Sequence, residues 1–250
     1  MTPGNLNELK SAFDRDGFVY LQDFLSPTES AILKTQLDQL IRDKAPGMPP
    51  EHAFYEDRND PSSLKQMFHL SEYDPYFEEL MNSPRFRGLA ELLLGEKTVR
   101  GQVEYFNKPA GIGKLTPPHQ DSYYFMLTPP QALTFWLPLE DVDEENGCLH
   151  YIRGSHRKGM RPHGRTSILG FSQGITDFGT DDDRANDVAM PVSTGGVLIH
   201  HGMTIHYADG NRSPIRTRRV LGFVYFGESA KEDVVAKEAY LKRLREETLK

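Results

Sequence analysis

Cysteine is almost missing from this 250-residue chain: Cys148 stands alone. No internal disulfide can form, and a reducing cytoplasm is the expected compartment. No apolar run approaches the ~18 residues that span a bilayer, and the opening MTPGNLNELK carries no basic-then-apolar export segment. Positive charge is also short, with 29 Lys and Arg against 36 Asp and Glu, a net charge of −7. That balance argues against a nucleic-acid surface. The expected partner is a small-molecule substrate, with no nucleic acid and no membrane, and nothing specifies an oligomeric state. Repeats and low-complexity tracts are absent too. One domain over residues 1–250 is the simplest organisation.

What is present reads as helices followed by strands. A short polar helix is expected over 5–15 and a strand over 17–24. Ser26-Pro27-Thr28-Glu29 is a strong helix start, with Ser26 as cap, Pro27 at the first helical position and Glu29 closing a capping box. Leu33, Leu37, Leu40 and Ile41 then lay one apolar stripe along that helix. Residues 43–63 read as a loop, and a second helical stretch covers about 74–95. From residue 98 short β-like runs follow at 98–107, 119–127, 131–140, 148–152, 188–192, 196–206 and 217–227. The expected fold is mainly β with flanking helices, a sandwich or barrel. It divides into a helical part (about 1–97), a barrel core (about 98–228) and an amphipathic helix (about 231–249). The interval 157–187 has no clean period and is expected to be a lid or substrate loop.

The chemistry gathers around LTPPHQDSYYFMLTP, residues 115–129. If 119–127 is a strand, His119 and Asp121 leave the same face about 6.5 Å apart and can converge on one metal ion. A third ligand must come from another strand, and GGVLIHHGMTIH (195–206) offers His200, His201 and, beyond a bend at Gly202, His206. Two histidines and one carboxylate suit a non-heme Fe(II) oxygenase. Zinc accepts the same set, so a zinc-dependent hydrolase stays open, as does a metal-binding jelly-roll module without oxygenase activity. The Arg218-Arg219 pair opening an apolar strand favours the oxygenase. A guanidinium there is costly unless a carboxylate meets it, and 2-oxoglutarate brings one.

Taken in order, several motifs resemble the phytanoyl-CoA dioxygenase family of Fe(II)/2-oxoglutarate oxygenases. They are Asp16-Gly17-Phe18-Val19, Phe106-Asn107-Lys108-Pro109, Pro118-His119-Gln120-Asp121, Asn146-Gly147-Cys148-Leu149, Gly154-Ser155-His156, His206 with Gly210-Asn211-Arg212-Ser213, and Arg218-Arg219. The resemblance covers most of the chain. It implies a double-stranded β-helix, a jelly-roll, cupin-like barrel. It implies His119, Asp121 and His206 as iron ligands and Arg218 as the partner of the cosubstrate's distal carboxylate, with Arg219 turned the other way. Lys65, Gln120 and Trp136 match cosubstrate-lining positions, and Gln102 is a weaker candidate for the keto-acid end. His200 and His201 are expected to be packing residues. The implied activity uses Fe(II), 2-oxoglutarate and O2 to oxidise a C–H bond, most simply by hydroxylation, with release of succinate. The chain departs from the family where His206-Tyr-Ala-Asp-Gly replaces a small Ser after the distal histidine, and it has one extra residue between Asn211 and Arg218. Tyr105, Tyr123, Tyr124 and Phe125 are candidate pocket aromatics, and Arg161, Arg165 and Arg212 candidate partners of an anionic group. The polar composition points to a small polar metabolite as substrate.

Overall fold

The computed structural model describes residues 3–57, 59–168, 171–235, 237–240 and 242. The chain begins with α1 (Pro3–Asp16) and β1 (Phe18–Leu21), joined by Gly17. Gly17 has φ +85°, and a Cβ there would come within 2.5 Å of His156, so the joint requires glycine. Helix α2 (Pro27–Asp43) follows. Its capping box is formed: the Ser26 side chain accepts from the Glu29 amide, and the Glu29 carboxylate accepts from the Ser26 amide at 2.8 Å. Leu33, Leu37 and Leu40 are its buried stripe. Each contributes about 1.5–3 kcal/mol by burial.

The expected loop over 43–63 is more ordered than its composition suggests. It contains two 3-10 turns and β2 (Ala53–Tyr55), which pairs with β3 (Leu64–Met67). The expected helix over 74–95 is interrupted. After α3 (Leu70–Tyr73) come α4 (Pro75–Asn82) and α5 (Pro84–Leu94). Pro84 cannot donate to the preceding turn, so it ends α4 and starts α5.

The β region runs β4 (Thr98–Lys108), β5 (Thr116–His119), α6 (Ser122–Phe125), β6 (Leu127–Thr128), β7 (Ala132–Pro138) and β8 (Leu149–Ile152). It continues with β9 (His163–Ile168), β10 (Phe171–Ile175), α7 (Asp181–Asn186), β11 (Asp187–Met190), β12 (Val197–His201), β13 (His206–Ala208), β14 (Arg218–Gly227) and β15 (Lys231–Glu232). The segment 157–187, expected as a loop, is therefore a hairpin and a helical turn. Of the expected helix over 231–249, residues 231–232 pair with β6 instead and 243–249 lie outside the described residues. Residues 234–235 and 237–240 are helical.

Two antiparallel sheets face each other as a jelly roll. The larger has the order β1-β12-β7-β14-β4-β3-β2 and the smaller β11-β8-β13-β5. Strand period decides what each face does. Leu133, Phe135 and Leu137 of β7, Leu221, Phe223 and Tyr225 of β14, and Val103 and Tyr105 of β4 pack against the helices, where Leu37, Phe77 and Phe86 are also fully buried. Their alternates point between the sheets. One part of that space is filled by Phe18, Trp136, Leu149, Tyr151, Leu198 and Val220. The rest is a cavity of about 540 Å³ lined from both sheets. No helix among the described residues is long and apolar enough to cross a membrane.

Candidate metal centre and its cavity

His119 ends β5 and His206 begins β13, and the two are direct partners across the small sheet. Their ring centroids lie 4.1 Å apart. Asp121 does not share a strand with His119, contrary to the alternation expected for 119–127. The chain turns at Gln120, and Asp121 has helical dihedrals (φ −55°, ψ −37°) at the start of α6. The turn swings its carboxylate back between the two imidazoles. Oδ1 is 3.4 Å from His119 Nε2 and 3.5 Å from His206 Nε2. One ligand atom from each of the three residues lies within 4.8 Å of the others.

The groups behind the cluster fix which atoms face its centre. His119 Nδ1 is 2.8 Å from the Pro117 carbonyl and His206 Nδ1 3.0 Å from the Thr204 carbonyl. Those carbonyls hold each Nδ1 as the protonated donor, so both Nε2 atoms carry the lone pair that a metal would take. Asp121 Oδ2 accepts from Thr134 Oγ1 at 2.9 Å and from His200 Nε2 at 3.1 Å. Tyr151 in turn donates to His200 Nδ1 at 2.7 Å. Oδ1 is thereby left for the ion. Burial would raise the Asp121 carboxyl, but the surrounding imidazoles, His206 foremost, hold it well below the usual carboxylate range. Burial, with His119 and His200 alongside, pushes His206 well below the usual imidazole range. An ionised carboxylate and a neutral imidazole are the forms that bind metal. His200 is therefore more than a packing residue. His201, by contrast, packs by Phe13 and bonds the Met203 amide.

A cationic wall stands at another part of the cavity. Arg218 is 4% exposed, its guanidinium 5.6 Å from the Trp136 ring centroid. Its Nε is buried without a hydrogen-bond partner. Among the described residues no carboxylate lies within ion-pair distance of it. Burial pulls the guanidinium down to about 10, so it stays charged near neutrality. Lys108 is its partner in register across β4 and β14. Its ammonium donates to the Lys114 carbonyl, and burial, with Arg218 and Lys65 nearby, lowers it well below its usual range. Arg219 points the other way, to Glu140 at 2.6 Å and Asp38 at 2.7 Å.

Other expected residues divide. Lys65, Gln102 and Trp136 line the cavity. Lys65 is also held by Glu56 at 2.9 Å. Gln120 does not line it: its amide bonds the Gly159 and Met203 carbonyls and the Arg161 amide, which makes it a tie for the following loop. Tyr124 and Phe125 line the cavity, whereas Tyr105 lies on the helix side of the sheet and Tyr123 stacks on His163. Arg161 is taken by Asp177 and Asp183, and Arg212 by the Glu144 carbonyl. The sequence reading missed Thr134, Lys108, Gln66 and Glu104. Gln66 is 1% exposed, lines the cavity, and has neither amide atom bonded. The alternation of polar Gln102, Glu104 and Lys108 with apolar Val103 and Tyr105 along β4 was the available signal.

A buried His/Asp/His cluster inside a cupin-like jelly roll, facing an unpaired arginine, is the arrangement of the 2-oxoglutarate oxygenase fold. A sequence model of the phytanoyl-CoA dioxygenase (PhyH) family matches residues 13–220, and the chain belongs to that family. It is 36% identical over 158 residues to phytanoyl-CoA dioxygenase domain-containing protein 1 of Danio rerio, covering 60% of this chain and 53% of the relative. The chain thus spans about half the length of that relative. EvdO2 from Micromonospora carbonacea var. aurantiaca, solved with 2-oxoglutarate, superposes with a TM-score of 0.71 at 26% identity, over 91% of this chain and 92% of that one. EctD from S. alaskensis, solved with bound Fe, gives 0.73 at 22% identity over 91% and 77%, a likeness of fold.

Proposed function

We propose that this protein is a non-heme Fe(II)/2-oxoglutarate-dependent dioxygenase that hydroxylates a C–H bond of a small polar metabolite. One observation carries the reading. A two-histidine, one-carboxylate cluster shares a cavity with a buried guanidinium that has no carboxylate partner among the described residues. A zinc hydrolase has no need of that arginine, whereas a dicarboxylate cosubstrate needs both features.

In this reading His119 and His206 ligate through Nε2 and Asp121 through Oδ1. Iron, 2-oxoglutarate and O2 together supply the oxidising chemistry when bound, with succinate and CO2 as the cosubstrate's products. Thr134 and His200 occupy Asp121 Oδ2, so Oδ1 would be the atom it offers to the ion. Arg218 receives the distal carboxylate as a bidentate partner, with Trp136 against its guanidinium and Lys108 beside it on the neighbouring strand. Gln66 and Gln102 offer amides to the remaining oxygens. Walls of Phe106, Phe125 and Val224 exclude bulk water. The lone, buried Cys148 suits a reducing compartment, and we place the reaction in the cytoplasm.

The test is a metabolite screen with Fe(II), 2-oxoglutarate and air, reading succinate and mass gain in the same reaction. A compound that gains one oxygen in step with succinate establishes the activity. Protein that binds no 2-oxoglutarate in the presence of Fe(II) rules it out.

A further inference from the structure

Glu104 sits on the inner face of β4 and lines the cavity. Across the large sheet its row reads Leu198, Trp136, Gly222, Glu104, and the next row reads His200, Thr134, Val224, Gln102. That second row holds the two donors that anchor Asp121. Same-face neighbours along a strand are about 6.7 Å apart and adjacent strands about 4.8 Å apart, so Glu104 stands roughly 12 Å from Thr134, one pleat along and two strands across. Gly222 beside it has no side chain, and the Phe106 ring lies over that position, 3.3 Å from where a Cβ would stand. Lys108 lies four residues along, about 13 Å away.

Among the described residues Glu104 has no countercharge. Gln102 Nε2 donates to its Oε1 at 2.6 Å, and no cation among the described residues comes within ion-pair distance. The other carboxylates of the cavity are accounted for: Glu232 faces Lys237, Glu72 lies by His69, and Asp121 belongs to the metal cluster. Burial, with Asp121 nearby, pushes the Glu104 carboxyl up to about 8. An enclosed carboxylate without a partner is costly. In the oxygenase reading, on which this inference rests, iron is balanced by Asp121 and the keto-acid end, and Arg218 by the distal carboxylate. Neither is left over for Glu104.

We propose that Glu104 is the recognition group for a positively charged nitrogen of the substrate, which makes the substrate class a small amine. The ammonium group pairs with Glu104 and places carbons a few bonds away beside the metal, while the Arg218 guanidinium keeps that nitrogen from the cosubstrate's end. Anionic substrates are disfavoured by the same carboxylate.

The test is anaerobic calorimetry on the Fe(II)–2-oxoglutarate protein with n-butylamine, putrescine and L-lysine, each against its N-acetylated counterpart, and with butyrate. At least one amine is expected to bind about tenfold or more tighter than its acetylated form. Glu104→Gln removes the preference and Glu104→Asp keeps it. Glu104→Gln is expected to melt at or above the wild-type temperature, which controls for folding. No amine binding, equal binding of the acetylated forms, or a preference that survives Glu104→Gln each overturn the proposal. The visible Fe(II)–2-oxoglutarate band, recorded before each titration, reports on the oxygenase reading alone. Its presence without amine preference sinks only the Glu104 assignment.

Discussion

Replacing Arg218 with methionine separates the two roles that burial gives this side chain. The guanidinium is 4% exposed, with an unbonded Nε and no carboxylate among the described residues within ion-pair distance. Removing an uncompensated buried charge while keeping the apolar stem stabilises a fold by about 1–4 kcal/mol. The variant should therefore melt several degrees higher. Binding of 2-oxoglutarate should move the opposite way. Losing one partner of a buried charge pair costs about 2–5 kcal/mol, and a middle value of about 3 kcal/mol is roughly a 150-fold rise in Kd. Lys108 remains on the neighbouring strand, and a single ammonium cannot replace the fork. The assay is an anaerobic titration of 2-oxoglutarate into Fe(II) protein followed by the visible band, with iron affinity measured separately. An affinity for 2-oxoglutarate within about threefold of wild type, or a large loss of iron binding, would refute the reasoning.

His200→Phe removes the donor to Asp121 Oδ2 and should weaken Fe(II) binding about 10–100-fold, read by chelator competition. Unchanged iron affinity would show that Thr134 suffices alone. For the metal-free protein, Glu104 has a pH signature. Its folded value of about 8 lies above the ordinary 4.5, so between those values the folded state holds a proton that the unfolded state has released. Stability then falls as pH rises through that window, by about 5 kcal/mol at most relative to Glu104→Gln. Urea midpoints for the two proteins at pH 5 and pH 8.5 check the sign, and parallel behaviour contradicts it. Leu37→Ala, at a fully buried position of α2, should cost about 2–5 kcal/mol in urea unfolding while leaving iron binding untouched; a loss under about 1 kcal/mol would mean that the α2 stripe is not core.

Legibility in the sequence followed periodicity. The parity of Arg218 and Arg219 could be read because β14 is a long regular strand, and the two side chains do take opposite faces. The bend at Gly202 that sets His206 on its own strand was readable for the same reason. Asp121 was misplaced because Tyr123, Tyr124 and Phe125 have strong β preference, while tertiary contacts with β7 and β12 turn the backbone helical there. The hairpin of β9 and β10 hid behind Gly164 and Gly174, whose missing side chains blur the period. His200 looked like packing because its use depends on register with Thr134, which no local window contains. Gln120 misled for a simpler reason. It sits beside two expected ligands, yet its buried amide is consumed by three backbone groups.

Anomalous diffraction at the iron edge, on crystals grown anaerobically with Fe(II) and 2-oxoglutarate, tests the central claim most directly. One strong peak is predicted, about 2.1 Å from His119 Nε2, His206 Nε2 and Asp121 Oδ1, with a cosubstrate carboxylate in the fork of Arg218. Iron bound elsewhere, or a carboxylate that leaves Arg218 unpaired, would contradict the account.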